Sequence, residues 1–173
     1  CSSDLRIIDP LTQMGCSITG NSLPGKTDIY PPLFIQGKGK TEAINFTLPV
    51  ASAQVKSAVM LASLYSQDRT SIFEPEQSRD HSERMFKLFG ADIDLKDRHI
   101  YTSGSKPLSL SSSDPIYLPS DLSSAAFFLA LGCIRPNTDL LLRGVGLNPT
   151  RAAIIQVLKQ MGASIEIENP HYS

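Results

Sequence analysis

The sequence predicts an α/β chain, α+β in detail, assembled from one small module used more than once. Two recurring phrases carry that reading. Residues 11–18 read LTQMGCSI, residues 86–93 read FKLFGADI and residues 158–165 read LKQMGASI, which sets Gly15, Gly90 and Gly162 about 70 to 75 residues apart. Residues 48–65, LPVASAQVKSAVMLASLY, share a layout with residues 118–134, LPSDLSSAAFFLALGCI: Leu-Pro, a short run of small and polar residues, then a long apolar helix. Repeats of about 20 to 50 residues usually signal solenoids. A longer period of mixed content signals an α/β module instead.

The elements follow in chain order. Residues 48–65 predict a helix, and TSIFEP after it predicts a strand. Over His81 to Phe89 the apolar residues Met85, Leu88 and Phe89 recur at helical spacing with charge on the other face. Gly90 falls where a helix C-cap belongs, and ADIDL continues with strand alternation. Residues 118–134 predict the next helix and TDLLLRGV the next strand. In the last copy Asn148 suits an N-cap and Pro149 a first turn. Ile154, Ile155, Leu158 and Met161 then form an apolar stripe, Gly162 ends the helix, and ASIEIE alternates as a strand. The module thus runs helix, strand, helix, strand, strand. Duplication of this kind describes a scaffold and says nothing of chemistry.

Composition narrows the function classes. With 41% apolar and 19% charged residues the chain can bury a core. The net charge of −1, with Lys and Arg scattered, lacks the basic face of a nucleic-acid binder. Cys1, Cys16 and Cys133 share no metal-ligand spacing, so neither a disulfide framework nor a structural zinc is expected, and a reducing compartment fits best. The apolar run from Ala125 to Ile134 is too short to span a bilayer, so no membrane partner is expected. No basic-then-apolar leader opens the chain, although it begins inside a patterned segment.

Chemistry is expected at helix N-termini, where free backbone N–H groups and the positive end of the dipole favour anions. Ala51-Ser52-Ala53-Gln54 opens one helix. A serine there either caps the helix or hydrogen-bonds a phosphate, and the pattern by itself favours capping. Ser78-Arg79-Asp80-His81 opens the next. A cation at a positive helix end is unfavourable by about 0.3–1 kcal/mol, so Arg79 either pairs with Asp80 or Glu83 or helps hold an external anion. Arg151 poses the same question more faintly. His81 has no partner by sequence that would make it a general base, and Asp121 reads as a structural residue stabilised by the dipole. No nucleotide-binding glycine loop of the P-loop or dinucleotide type is present.

Four segments then resemble, in order, those of the EPSP synthase family. LPVASAQVKSAVMLASLY resembles the family's segment around a substrate-binding Ser-Ala-Gln. EPEQSRDHSERMFKLFGADI is similar to its Ser-Arg-Asp-His-Thr-Glu-Arg segment, with Ser82 in place of threonine. LPSDLSSAAFFLALGCI resembles its Pro-Gly-Asp-x-Ser-Ser-Ala-Ala-Phe-Phe segment, with Ser120 in place of glycine, and VGLNPTRAAIIQVLKQMGASIEI its Asn-Pro-Thr-Arg helix.

The resemblance implies repeated βαβαββ units of the enolpyruvyl transferase inside-out barrel type, about three of six being present here. It implies that residues 1–113 belong to a first substrate-binding lobe and residues 114–173 to a second, both incomplete. It also implies transfer of the enolpyruvyl group of phosphoenolpyruvate to shikimate 3-phosphate, without metal or organic cofactor. Ser52, Ala53, Gln54, Ser78 and Arg79 are the substrate-binding residues it carries over. No catalytic residue is carried over: the family's acid–base residues are expected beyond these ends, so this piece alone is expected to be inactive and to need the rest of its own polypeptide. Alternatives are the related transferase acting on UDP-N-acetylglucosamine, a non-catalytic remnant binding phosphorylated ligands, and a relative of the RNA-end cyclases.

Overall fold

The computed structural model describes residues 4–22, 29–110 and 115–170. The chain divides into two compact units, Cys1–Ser113 and Asp114–Ser173. The boundary between residues 113 and 114 lies outside the described residues, as does Cys1. Cys16 and Cys133 are free.

The first unit opens with a 3-10 turn, Asp4–Ile7, that runs into α1 (Ile8–Gln13). Met14 is buried behind it, and Gly15 at φ +89° turns the chain out of the helix, a conformation that costs other residues a Cβ clash. β1 (Ser17–Ser22) and β2 (Ile29–Gln36) then pair antiparallel, Ser17 opposite Gln36, with an irregularity between Thr19 and Asn21. The first copy thus supplies a helix and two strands.

The second copy is complete: β3 (Asn45–Thr47), α2 (Ala53–Ser63), β4 (Thr70–Phe73), α3 (His81–Leu88), β5 (Asp92–Lys96) and β6 (His99–Ser103). They form a βαβαββ unit with strand order β3-β4-β6-β5. β3 and β4 are parallel, as a strand–helix–strand crossover requires, and β6 runs antiparallel to both neighbours. One face of the sheet is buried. Ile72, Ile100, Thr70 and Thr102 alternate inward against Val55, Val59 and Met60 of α2 and Phe86 of α3, with Phe46 and Leu48 closing the cluster. Gly104 follows β6 where a Cβ would lie 2.0 Å from the carbonyl oxygen of Leu64, so only glycine lets the strand end pass the end of α2.

The buried face of α3 differs from the one predicted. Met85 and Leu88 are more than a third exposed, and the inward positions are Glu83 and Phe86. Apolar spacing alone could not anticipate this, because Glu83 goes inside to meet a charge on α2.

In the second unit, α4 (Leu122–Ile134) and α5 (Ala153–Gln160) share a small core of Leu122, Ala125 and Ile155. α5 begins later than predicted: its N-cap is Ala152, and Asn148 instead closes a turn, its Oδ1 accepting from the N–H and hydroxyl of Thr150 at 3.0 and 2.9 Å. Met161 is 78% exposed and leaves the apolar stripe. The strands predicted at TDLLLRGV and ASIEIE are not formed. Strands exist through their ladders, and among the described residues of this unit only Ser120 and Val145 meet, in one parallel bridge. Among the described residues no helix is long and apolar enough to cross a membrane.

Candidate functional site

α2 and α3 are each entered from the C-terminal end of one of two parallel neighbours, since Thr47 at the end of β3 lies opposite Phe73 at the end of β4. In α/β sheets that edge is where ligands collect. Two contacts fix the first turns of the helices side by side: Ser57 Oγ lies 2.5 Å from Ser82 Oγ, and Lys56 Nζ lies 2.6 Å from Glu83 Oε1.

Ser52 is the N-cap of α2. Its backbone is extended, its carbonyl accepts from Lys56 N–H at 3.0 Å, and its Oγ accepts from Val55 N–H at 3.5 Å. Capping and anion binding are compatible here. A hydroxyl that accepts from the helix still has its own proton to donate outward. The N–H groups of Ala53 and Gln54 occupy the first turn, where no carbonyl lies beneath them. No acidic residue stands in that turn, so the positive helix end is left for an external charge. Ala53 is half-buried and Gln54 exposed.

Ser78 and Arg79 lie just ahead of α3, whose N-cap is Asp80. Ser78 Oγ donates to Glu74 Oε1 at 2.6 Å. Arg79 is exposed, and no ion pair among the described residues includes it. The acids that could have neutralised it are engaged elsewhere: Asp80 pairs with Arg84 at 2.9 Å, and Glu83 pairs with Lys56. A cation beside a positive helix end is thereby left to solvent or to a ligand.

Sequence reasoning missed the group beneath these residues. Lys56 is fully buried between two buried carboxylates, 3.0 Å from Glu74 Oε2 and 2.6 Å from Glu83 Oε1. The second oxygen of Glu83 has no hydrogen-bond partner among the described residues. The signal was present: Lys56, Val59, Met60 and Ser63 fall at i, i+3, i+4 and i+7 on the one stripe that α2 buries.

The remaining positions carry structure. Asp121 caps α4, its Oδ1 accepting from Ser123 N–H at 3.1 Å, and that hydrogen bond, helped by the Ser123 hydroxyl and by Arg151, holds its carboxyl below the usual range. Arg151 lies 3.5 Å from Asp121 and also donates to Ser123 Oγ. Asp92 is lowered likewise, first by the hydroxyl of Ser103 at 2.7 Å. Among the described residues no three His, Cys, Asp or Glu side chains converge to hold a metal ion.

The βαβαββ unit is the one that the family resemblance implies, and the chain is similar to a solved EPSP synthase from Acinetobacter baumannii with a TM-score of 0.78 at 42% identity, covering 97% of this chain and 36% of that one. The sequence matches the family described as EPSP synthase (3-phosphoshikimate 1-carboxyvinyltransferase) over residues 5–172, and the chain belongs to that family. Similar relatives include proteins named 3-phosphoshikimate 1-carboxyvinyltransferase from Geobacillus kaustophilus, 47% identical over 164 residues, and Shouchella clausii, 48% identical over 163 residues. These alignments cover 95% and 94% of this chain, which spans only 36% of the length of either relative.

Proposed function

We propose that the polypeptide carrying this segment transfers the enolpyruvyl group of phosphoenolpyruvate to a ring hydroxyl of shikimate 3-phosphate, releasing phosphate through a tetrahedral intermediate. In this reading the chain supplies part of the shikimate 3-phosphate site. The Ser52 hydroxyl and the first-turn N–H groups of Ala53 and Gln54 hold the phosphate, Gln54 lies near both substrates, and Ser78 and Arg79 make further phosphate contacts, the positive charge coming from Arg79. No residue of this chain is assigned to proton transfer. Residues 1–113 then belong to one lobe and 114–173 to the other, the rest of the polypeptide completes both, and the enzyme works in the cytoplasm without a cofactor.

One observation carries the reading. Two helix N-termini lie side by side, with the proton of a capping serine and an arginine in no ion pair among the described residues at their edge. Substrates that are polyanions are well matched by such donors, which need no reorganisation on binding.

The test is calorimetric titration of the full-length polypeptide with shikimate 3-phosphate, comparing wild type with Ser52→Ala and Arg79→Ala. Each variant is expected to bind about tenfold more weakly, the worth of one charge-assisted hydrogen bond. Arg79→Ala should leave the melting temperature nearly unchanged, because the side chain is exposed and outside every ion pair described. Unaltered affinity in both variants would sink the assignment.

A further inference from the structure

The geometry points to Glu74 as a positioning residue for the anion-binding segment Ser78-Arg79, an inference that rests on the reading above and concerns how that site is held. Glu74 leaves the end of β4, is 5% exposed, and has both carboxylate oxygens engaged. Oε2 meets Lys56 Nζ of α2 at 3.0 Å, and Oε1 accepts from Ser78 Oγ at 2.6 Å. Its backbone N–H donates to the carbonyl of Arg98 at 3.0 Å, which anchors it to the β5–β6 hairpin. The segment from Glu74 to Asp80 has no regular structure to fix it. Arg98 Nη1 donates to the Pro75 carbonyl at the start of that segment, and the bond from Ser78 to Glu74 sets where it lies as it reaches α3, with Arg79 the next residue.

Lys56 makes this possible. A carboxylate this deep needs a buried counter-charge, and Lys56 supplies it while also binding Glu83 of α3. The group holds one cation and two carboxylates, with one Glu83 oxygen unpartnered among the described residues, an arrangement that well-packed apolar residues would match or better in stability. An apolar plug, however, could join α2 to α3 without aiming the Ser78 hydroxyl. The directional bond is what the charge adds.

The test uses the full-length polypeptide, steady-state kinetics with shikimate 3-phosphate and phosphoenolpyruvate, and the variants Glu74→Asp, Ser78→Ala and the double substitution. Aspartate keeps the charge facing Lys56 but is a methylene too short to reach both partners. Glu74→Gln serves where the aspartate variant does not fold: with its carbonyl on Lys56, its N–H₂ group donates to Ser78 Oγ, which reverses the bond and replaces a charged acceptor by a neutral donor. Glu74→Asp is expected to raise KM for shikimate 3-phosphate about tenfold, and Glu74→Gln, with its weaker reversed bond, about threefold, each with kcat within about twofold. Because Glu74 acts through Ser78, the double variant should be no worse than Ser78→Ala alone. An unchanged KM, or effects that multiply in the double variant, overturns the positioning role while leaving the functional reading standing. A wild-type protein that does not turn over shikimate 3-phosphate overturns both.

Discussion

Lys56 is the residue on which the first unit turns. Its alkyl stem lies on the buried stripe of α2 beside Val59 and Met60, and its ammonium ties that helix to Glu74 after β4 and to Glu83 in α3. Removing one partner of a buried ion pair leaves uncompensated charge, which costs about 3–5 kcal/mol. Lys56→Met is therefore expected to lower the unfolding free energy from denaturant titration by that amount, and Lys56→Met with Glu74→Gln and Glu83→Gln should recover part of the loss. The position was legible from its spacing, but a lysine among apolar residues is usually read as a solvated side chain. Ser52 was readable as a helix start. The disposition of Arg79 was not, because it depends on where Asp80 and Glu83 find their partners.

At the scale of elements, capping decides where helices begin. α4 starts at Asp121, whose carboxylate accepts from Ser123 N–H and whose proton affinity is depressed by that bond. A depressed folded value means stabilisation that is present above the unfolded pKa and lost as pH falls through the folded one. Melting followed by circular dichroism should show Asp121→Asn less stable than wild type at neutral pH, with the gap closing as pH falls below about 4. Asp92, held by Ser103, contributes with the same sign. α5 shows the limit of reading caps from sequence. Asn148 has the right chemistry for a cap, yet its side chain closes the turn at Thr150 and the helix forms later.

At the scale of the whole molecule, the second unit carries a helix that is apolar on nearly every side. Phe127 and Ile134 of α4 are each 80% exposed, and Phe128 and Leu131 also face solvent. Helices apolar all round are normally covered, and contiguous exposed apolar surface drives association. This chain expressed by itself should bind 1-anilinonaphthalene-8-sulfonate and elute above monomer size, and Phe127→Ser with Ile134→Lys should lower the dye fluorescence about twofold or more. Unchanged fluorescence would mean that this face of α4 is not what associates. The sequence by itself determined the modular plan, because the glycines after α1, α3 and α5 and the change from helical to alternating periodicity are local properties that survive duplication. It also determined the family, through four segments in order. Only the tertiary structure decided which charges go inside, since Glu83 and Lys56 are buried by each other across two helices. The same holds for strands: ADIDL becomes β5 because β6 lies beside it, whereas ASIEIE, with the same alternation, finds no ladder among the described residues. Periodicity specifies which face of a strand is apolar, but hydrogen bonds to a neighbour make it a strand.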